Sequence, residues 1–254
     1  MTGHPPKGIQ AIDRAFDIVE ALNELEGAGV TELARHVGLP KSTVYNHLAT
    51  LERSGYVVRR DGTYRTGLKF LEAGELARDQ HELYTIGRPE VDKLAEKTGE
   101  IAGLMTEEHG DGVFIYRSRG SEAALIDTHV GDRVPLHCTA LGKAILAFLP
   151  ERRRASIVDD GELASFTPAT VTDPAALADE LEDVRARKIA FDDEERLNGL
   201  RSVAAPILDG SESVIGAISI AGPTHRLRGD HFRVELPELA LGVANVIELN
   251  IQHS

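Results

Sequence analysis

Apolar residues recur at helical spacing from near the start of this chain. Ile12, Ala15, Phe16, Val19 and Leu22 form one stripe and predict a first helix with a single core-facing side. Thr31 sits at an N-cap position before Leu33, Ala34 and Val37, which predict a two-turn second helix ending at Gly38. Pro40 suits the start of a third helix, with Val44, Leu48 and Leu51 inward at i, i+4 and i+7 and Gly55 at its end. The period then changes. Residues 56–59 and 63–66 alternate as two short strands around Asp61-Gly62, a pair that favours the positive φ of a tight hairpin. These pieces, in this order over residues 30–67 with the first helix upstream, predict a winged helix-turn-helix.

The solvent side of the third helix decides what such a module does. With Val44, Leu48 and Leu51 turned inward, Lys41, Ser42, Thr43, Tyr45, Asn46 and Ala49 lie on or near the open face. Ser42, Thr43, Tyr45 and Asn46 suit base edges, and Lys41 with Arg59 and Arg60 of the hairpin suits phosphates. Local charge agrees. Residues 41–66 hold Lys41, Arg53, Arg59, Arg60 and Arg65 against Glu52 and Asp61, in a chain of net charge −13. Double-stranded DNA is the expected partner.

Beyond the wing, Leu68, Leu71, Leu76, Leu83, Ile86, Val91 and Leu94 keep a helical spacing over residues 68–99 and predict two helices, the first ending near Gln80. Gly87 and Pro89 are expected to bend this connector. Strands follow at residues 101–107 and 113–119 around a turn at 109–112, with a third at 125–128. The run LGKAILAFL predicts a helix, and Asp173-Pro174 opens another with Leu177, Leu181 and Val184 inward. Residues 189–192, 200–207 and 214–220 read as strands around an Asp209-Gly210 turn. A last helix carries Leu236, Leu239, Ala240, Val243 and Ile247. The fold class is α+β, with a mostly antiparallel sheet covered by helices behind the DNA-binding module. The expected division is residues 1–67, a linker helix at 68–82, and a second domain at 83–254.

Composition narrows the function. The acid lies mainly in the second part: 10 Lys/Arg face 11 Asp/Glu in residues 1–80, but 18 face 30 beyond them. The second domain is therefore not expected to contact DNA. Only seven of the 28 basic residues are lysine, a balance that suits a high-salt cytosol, although a GC-rich genome equally favours Arg over Lys. One cysteine, Cys138, excludes an internal disulfide and multi-cysteine metal sites, and its expected role is a small buried side chain. No apolar run approaches the roughly 20 residues of a membrane span, and MTGHPPKGIQ lacks a signal-peptide core, so a cytoplasmic location is expected. The GKA of residues 142–144 is no phosphate loop, because that pattern needs Gly at His137 and Ser or Thr at Ala144. Ten histidines form no HExxH helix, and neither a metal site nor a cofactor is expected. No G-x-S-x-G or nucleophile–base pair points to an enzyme. An enzyme of small polar metabolites and a ligand-independent DNA binder are the competing classes.

Four blocks in order, GLPKSTVYNHLATLERSGYV, VGDRVPLHCTALGKAILAFLP, FDDEERLNGLRSVAAPILD and GAISIAGPTHRL, resemble the IclR family of transcriptional regulators over nearly the whole chain. The resemblance implies a GAF-like effector-binding domain, dimers or dimers of dimers, and a palindromic operator. Repressors and activators share these blocks. Family position places Ala140 and Leu141, Asp192, Ser202, Ser219 and Ala221 at the effector pocket. On the strand GAISIAG, Ala217, Ser219 and Ala221 share one face, and three small residues there leave room. The helix-start N–H groups at 140–141 favour an anion, and the hydroxyls and Asp192 can bind ligand OH or NH groups. The implied effector is an organic, sugar or aromatic acid controlling catabolic genes. The chain departs from common family forms at Ser202, where cysteine is frequent, at Ala221, where serine is frequent, and at Asn46, where arginine is frequent.

Overall fold

The computed structural model describes residues 8–124, 126, 128–158 and 163–253, and the chain divides into two compact units, Met1–Gln80 and His81–Ser254. The first unit contains α1 (Gln10–Glu24), α2 (Val30–His36), α3 (Lys41–Arg53), β1 (Val57–Arg60), β2 (Thr63–Thr66) and α4 (Lys69–Asp79). Its core joins Ile18, Leu22, Leu33, Val44, Leu48, Val57 and Tyr64. Asp61 and Gly62 turn the hairpin with φ of 51° and 83°, as that dipeptide favours, and pair Arg60 with Thr63.

Two local expectations change here. The packed side of α1 is Ile18, Val19, Ala21 and Leu22, whereas Ile12 and Phe16 are 51% and 57% exposed, because the small core reaches only the C-terminal half of this helix. Thr31 lies inside the first turn of α2, and the N-cap is Gly29. Ala28 exchanges two backbone hydrogen bonds with Tyr64 of the hairpin, at 2.9 and 3.0 Å, which hold the chain extended up to Gly29. Helix α4 buries none of its side chains.

The second unit runs α5 (Glu82–Thr98), β3 (Ile101–Glu108), β4 (Asp111–Arg119), β5 (Arg133–Pro135), α6 (Ala140–Leu146), α7 (Glu151–Val158), α8 (Pro174–Arg187), β6 (Ala190–Asp193), β7 (Leu200–Leu208), β8 (Val214–Pro223) and α9 (Leu236–Gln252). The strands form one antiparallel sheet in the order β5-β4-β3-β8-β7-β6. Helices cover both faces. Against one, α5 and α9 bury Leu83, Val91, Leu94, Ala244 and Ile247 on Leu104, Val203, Ile218 and Ile220. Against the other, α6 and α8 bury Leu141, Ala144, Leu177, Leu181 and Val184 with Met105, Ala204 and Ala217. Double-sided burial explains why β7 is apolar almost throughout rather than alternating.

Gly87 and Pro89 lie within the single helix α5. The reason for Gly87 is proximity, since a Cβ there would stand 2.6 Å from Leu104 Cδ1. The β3–β4 turn is only His109-Gly110, with φ of 57° and 96°, so β4 starts earlier than the expected residue 113. Of the strand expected at residues 125–128, Leu125 and Asp127 lie outside the described residues, and the strand adjoining β4 is β5. Helix α7 escapes the sequence pattern because ERRRASIV has no apolar stripe and buries only Val158.

Candidate DNA-binding surface and effector cavity

On α3, the buried Val44 and Leu48 fix which side faces solvent. Lys41, Ser42, Tyr45, Asn46 and Ala49 are exposed, and Thr43 is half-buried. Arg59 and Arg60 project from β1, both exposed, with the Arg59 guanidinium 5.2 Å from the centroid of the Tyr64 ring. Within the first unit, a polar helix face and a cationic hairpin thus stand free of the core.

The second unit holds a cavity of about 140 Å³ on the α6 side of the sheet. Its floor consists of two neighbouring rungs of the ladder. Asp192 pairs with Ser202, Ser202 with Ala221 and Ala221 with Ile101; next to them Ser219 pairs with Gly103 and Gly103 with Arg117. Residues directly opposite in an antiparallel ladder share a face, so all seven side-chain positions look into the same space. Gly103, Ser219 and Ala221 contribute little bulk, and that is what leaves it open. Phe114, Val134 and Leu141 add apolar wall.

Leu141, Asp192, Ser202, Ser219 and Ala221 therefore line one cavity. Ala140 does not. It is fully buried in the core beneath α6, and its neighbour Thr139 lines the cavity instead, its hydroxyl accepting from the Gly142 N–H at 3.0 Å.

Two cations also line the cavity, Arg117 and Arg196, and the sequence alone did not single them out. Arg117 donates to the Thr128 carbonyl and lies 5.5 Å from the Phe114 ring centroid, and burial lowers its pKa. Arg196 stacks 4.2 Å from the Phe166 ring centroid. Neither has a carboxylate within ion-pair distance among the described residues. The signal for Arg117 was its register opposite Gly103, which requires the strand order. Arg196 was hidden in an acidic run.

That run is no ordinary solvated loop. Asp192 and Glu195 are buried, and Asp192 Oδ1 accepts from the Glu195 N–H at 2.8 Å. Burial pushes the Asp192 carboxyl up to about 7, with the nearby Glu195 charge adding to the effect. Burial likewise raises Glu195. Beneath the turn, the fully buried Lys143 of α6 donates to Glu195 at 2.5 Å and Glu180 at 2.6 Å. Burial opposes its charge, but the two carboxylates outweigh that and hold its pKa above the usual lysine value. Cys138 is buried, and burial pushes its thiol up to about 12, which leaves no thiolate to act as nucleophile near neutral pH.

A winged helix-turn-helix joined to a unit with a cavity floored by hydroxyls and rimmed by cations defines a ligand-responsive DNA-binding regulator. The family comparisons give the same class a name. Residues 11–61 match the IclR helix-turn-helix domain and residues 76–248 match the bacterial transcriptional regulator IclR C-terminal domain, so the chain belongs to the IclR family of transcriptional regulators. It is 37% identical over 251 residues to the probable HTH-type transcriptional regulator ArcR of Halobacterium salinarum, covering 97% of this chain and 95% of that one. The acid-rich, lysine-poor composition accords with such kin. Among solved structures, the Thermotoga maritima IclR aligns with a TM-score of 0.81 at 28% identity, over 96% of this chain and 100% of that one. An IclR homolog from Microbacterium hydrocarbonoxydans, solved with 4-hydroxybenzoate, shares the fold with a TM-score of 0.82 at 24% identity, over 96% of this chain and 100% of that one.

Proposed function

We propose that this regulator binds a two-fold-symmetric operator as a homodimer or homotetramer, and that a small organic acid entering the cavity changes its DNA affinity or promoter geometry. Residues 1–67 serve as the DNA-binding domain, 68–82 as the linker and 83–254 as the effector domain. The protein acts in the cytoplasm on catabolic genes and is not an enzyme. The carrying observation is the cavity: five family-derived positions converge on it, and two cations without carboxylate partners among the described residues face the same space. The 4-hydroxybenzoate bound by the Microbacterium homolog supports a carboxylate as the effector group.

Lys41, Arg59 and Arg60 hold phosphates, while Ser42, Thr43, Tyr45 and Asn46 meet base edges. Leu141, Asp192, Ser202, Ser219 and Ala221 meet the effector, with Thr139 taking the place expected of Ala140. A ligand that binds only the folded chain raises its melting temperature by mass action. Small carboxylic acids, 4-hydroxybenzoate among them, are therefore expected to raise the melting temperature of the wild type and to shift operator binding in a titration. Ser219→Leu fills the small-residue floor and should abolish both effects. Equal stabilisation of wild type and Ser219→Leu would place the effector elsewhere.

A further inference from the structure

The cavity, taken as the effector site proposed above, carries more positive charge than a single carboxylate requires. Arg117 and Arg196 both line it, and the only acidic group lining it among the described residues is Asp192. A guanidinium offers five N–H donors. Arg117 uses one on the Thr128 carbonyl, whereas the Arg196 side chain lies against the Phe166 ring and makes no hydrogen bond among the described residues. Each arginine is held by an aromatic face, which orients the planar group without using its donors.

Their origin in the sheet matters as much as their number. Arg117 comes from β4 and Arg196 from the turn after β6, with β3, β8 and β7 in between. At about 4.8 Å per strand, β4 and β6 lie roughly 19 Å apart along the sheet, and the long side chains of both arginines still reach the one cavity between them. Coming from well-separated strands, each cation is placed to meet a carboxylate of its own. Between them lie Ser202, Ser219 and the bare backbone of Gly103, a narrow floor with hydroxyls whose one ionisable group among the described residues is Asp192. A space of about 140 Å³ matches the volume that accommodates a benzene-sized molecule.

We propose that the effector is a small dianion, a dicarboxylate of about four or five carbons, with one carboxylate on Arg117 and the other on Arg196. Arg196 is then the residue that sets specificity for the second charge. Burial pushes the Asp192 carboxyl up to about 7, so part of the population is protonated near neutral pH, which lessens its repulsion of a bound carboxylate.

The test is calorimetric titration of the full-length protein with succinate and glutarate, each against butyrate at the same pH and ionic strength. Wild type should bind the better dicarboxylate at least about tenfold more tightly than butyrate, since a hydrogen-bonded charge pair is worth about tenfold to a hundredfold in affinity. Arg196→Gln and Arg117→Gln should each erase that preference, bringing the ratio of dicarboxylate to butyrate affinity to within about threefold of one. Arg196→Lys, which keeps the charge, should retain part of it, and unliganded melting curves verify that each variant folds. Butyrate or 4-hydroxybenzoate binding wild type as tightly as the dicarboxylates would overturn the dianion and leave the effector cavity standing. No binding by any of these acids would overturn both.

Discussion

Asn46 and Arg60 stand a short distance apart in sequence and carry different kinds of information. Asn46 is exposed on α3 and can bond an adenine edge in two places, so Asn46→Ala should cost about 1–3 kcal/mol on the operator and little on random DNA. Arg60→Ala should weaken both alike, with a shallower salt dependence. Gel-shift titrations on operator and scrambled duplex separate the two, and an equal loss for Asn46→Ala on both would remove it from base readout. Asp192 makes a second residue-scale prediction. Its folded pKa, raised to about 7, exceeds the unfolded value near 3.8. The folded state therefore binds more protons between those limits, and the group's stabilising contribution is full below about pH 4 and lost as pH rises through about 7. Relative to wild type, Asp192→Asn should flatten the fall of unfolding free energy across that window by an amount on the order of a few kcal/mol. Parallel pH profiles of the two proteins would contradict a buried, proton-holding Asp192.

Among the elements, α6 links the cavity to the core. All seven of its residues are buried, Lys143 included, and Lys143 ties the helix to α8 through Glu180 and to the turn after β6 through Glu195. That turn carries Arg196 to the cavity and, through the Glu195 N–H, holds the carboxylate of Asp192 at the end of β6, so the ion triad fixes the backbone beside both. Removing the lysine leaves two buried or half-buried carboxylates without their cation. Lys143→Met should destabilise the protein by about 3–5 kcal/mol, and adding Glu180→Gln and Glu195→Gln should recover part of the loss. Urea unfolding monitored by circular dichroism measures it. A Lys143→Met midpoint equal to wild type would mean that water already satisfies these carboxylates.

At the scale of the whole molecule, the exposed apolar residues of the first unit call for a partner. Ile12 and Phe16 on α1, with Leu71 and Leu76 of α4 at 59% and 61% exposed, lie outside its core. Large apolar side chains left in water predict an association surface, and pairing of recognition helices would double the contacts available to one module. Light scattering at micromolar concentration should give at least a dimer without DNA, more completely in high salt, because the acidic second part of each copy repels its mate in dilute buffer. Phe16→Glu with Leu71→Glu should shift the protein toward monomer and lower operator affinity. A wild-type monomer in both buffers that still binds its operator tightly would refute the pairing.

Element types and their order were largely legible in the sequence because they follow from local periodicity, from capping residues such as Asp173 and from turn dipeptides such as Asp61-Gly62. The solvent face of α3 was legible for the same reason: Val44 and Leu48 are on its own helix and settle its orientation. Local signals failed where a neighbour from elsewhere in the chain decided the matter. Tyr64 sets the start of α2, the reach of a small core exposes Ile12 and Phe16, and Leu104 explains Gly87. The cavity belongs to the same class. Its serines and alanines could be placed on one strand face by counting in twos, but bringing Arg117, Gly103, Ser219 and Asp192 together depends on the strand order β4-β3-β8-β7-β6. Strand order and burial are properties of long-range pairing, and they alone buried Asp192 and Glu195 within an acidic run and set Arg196 against the cavity.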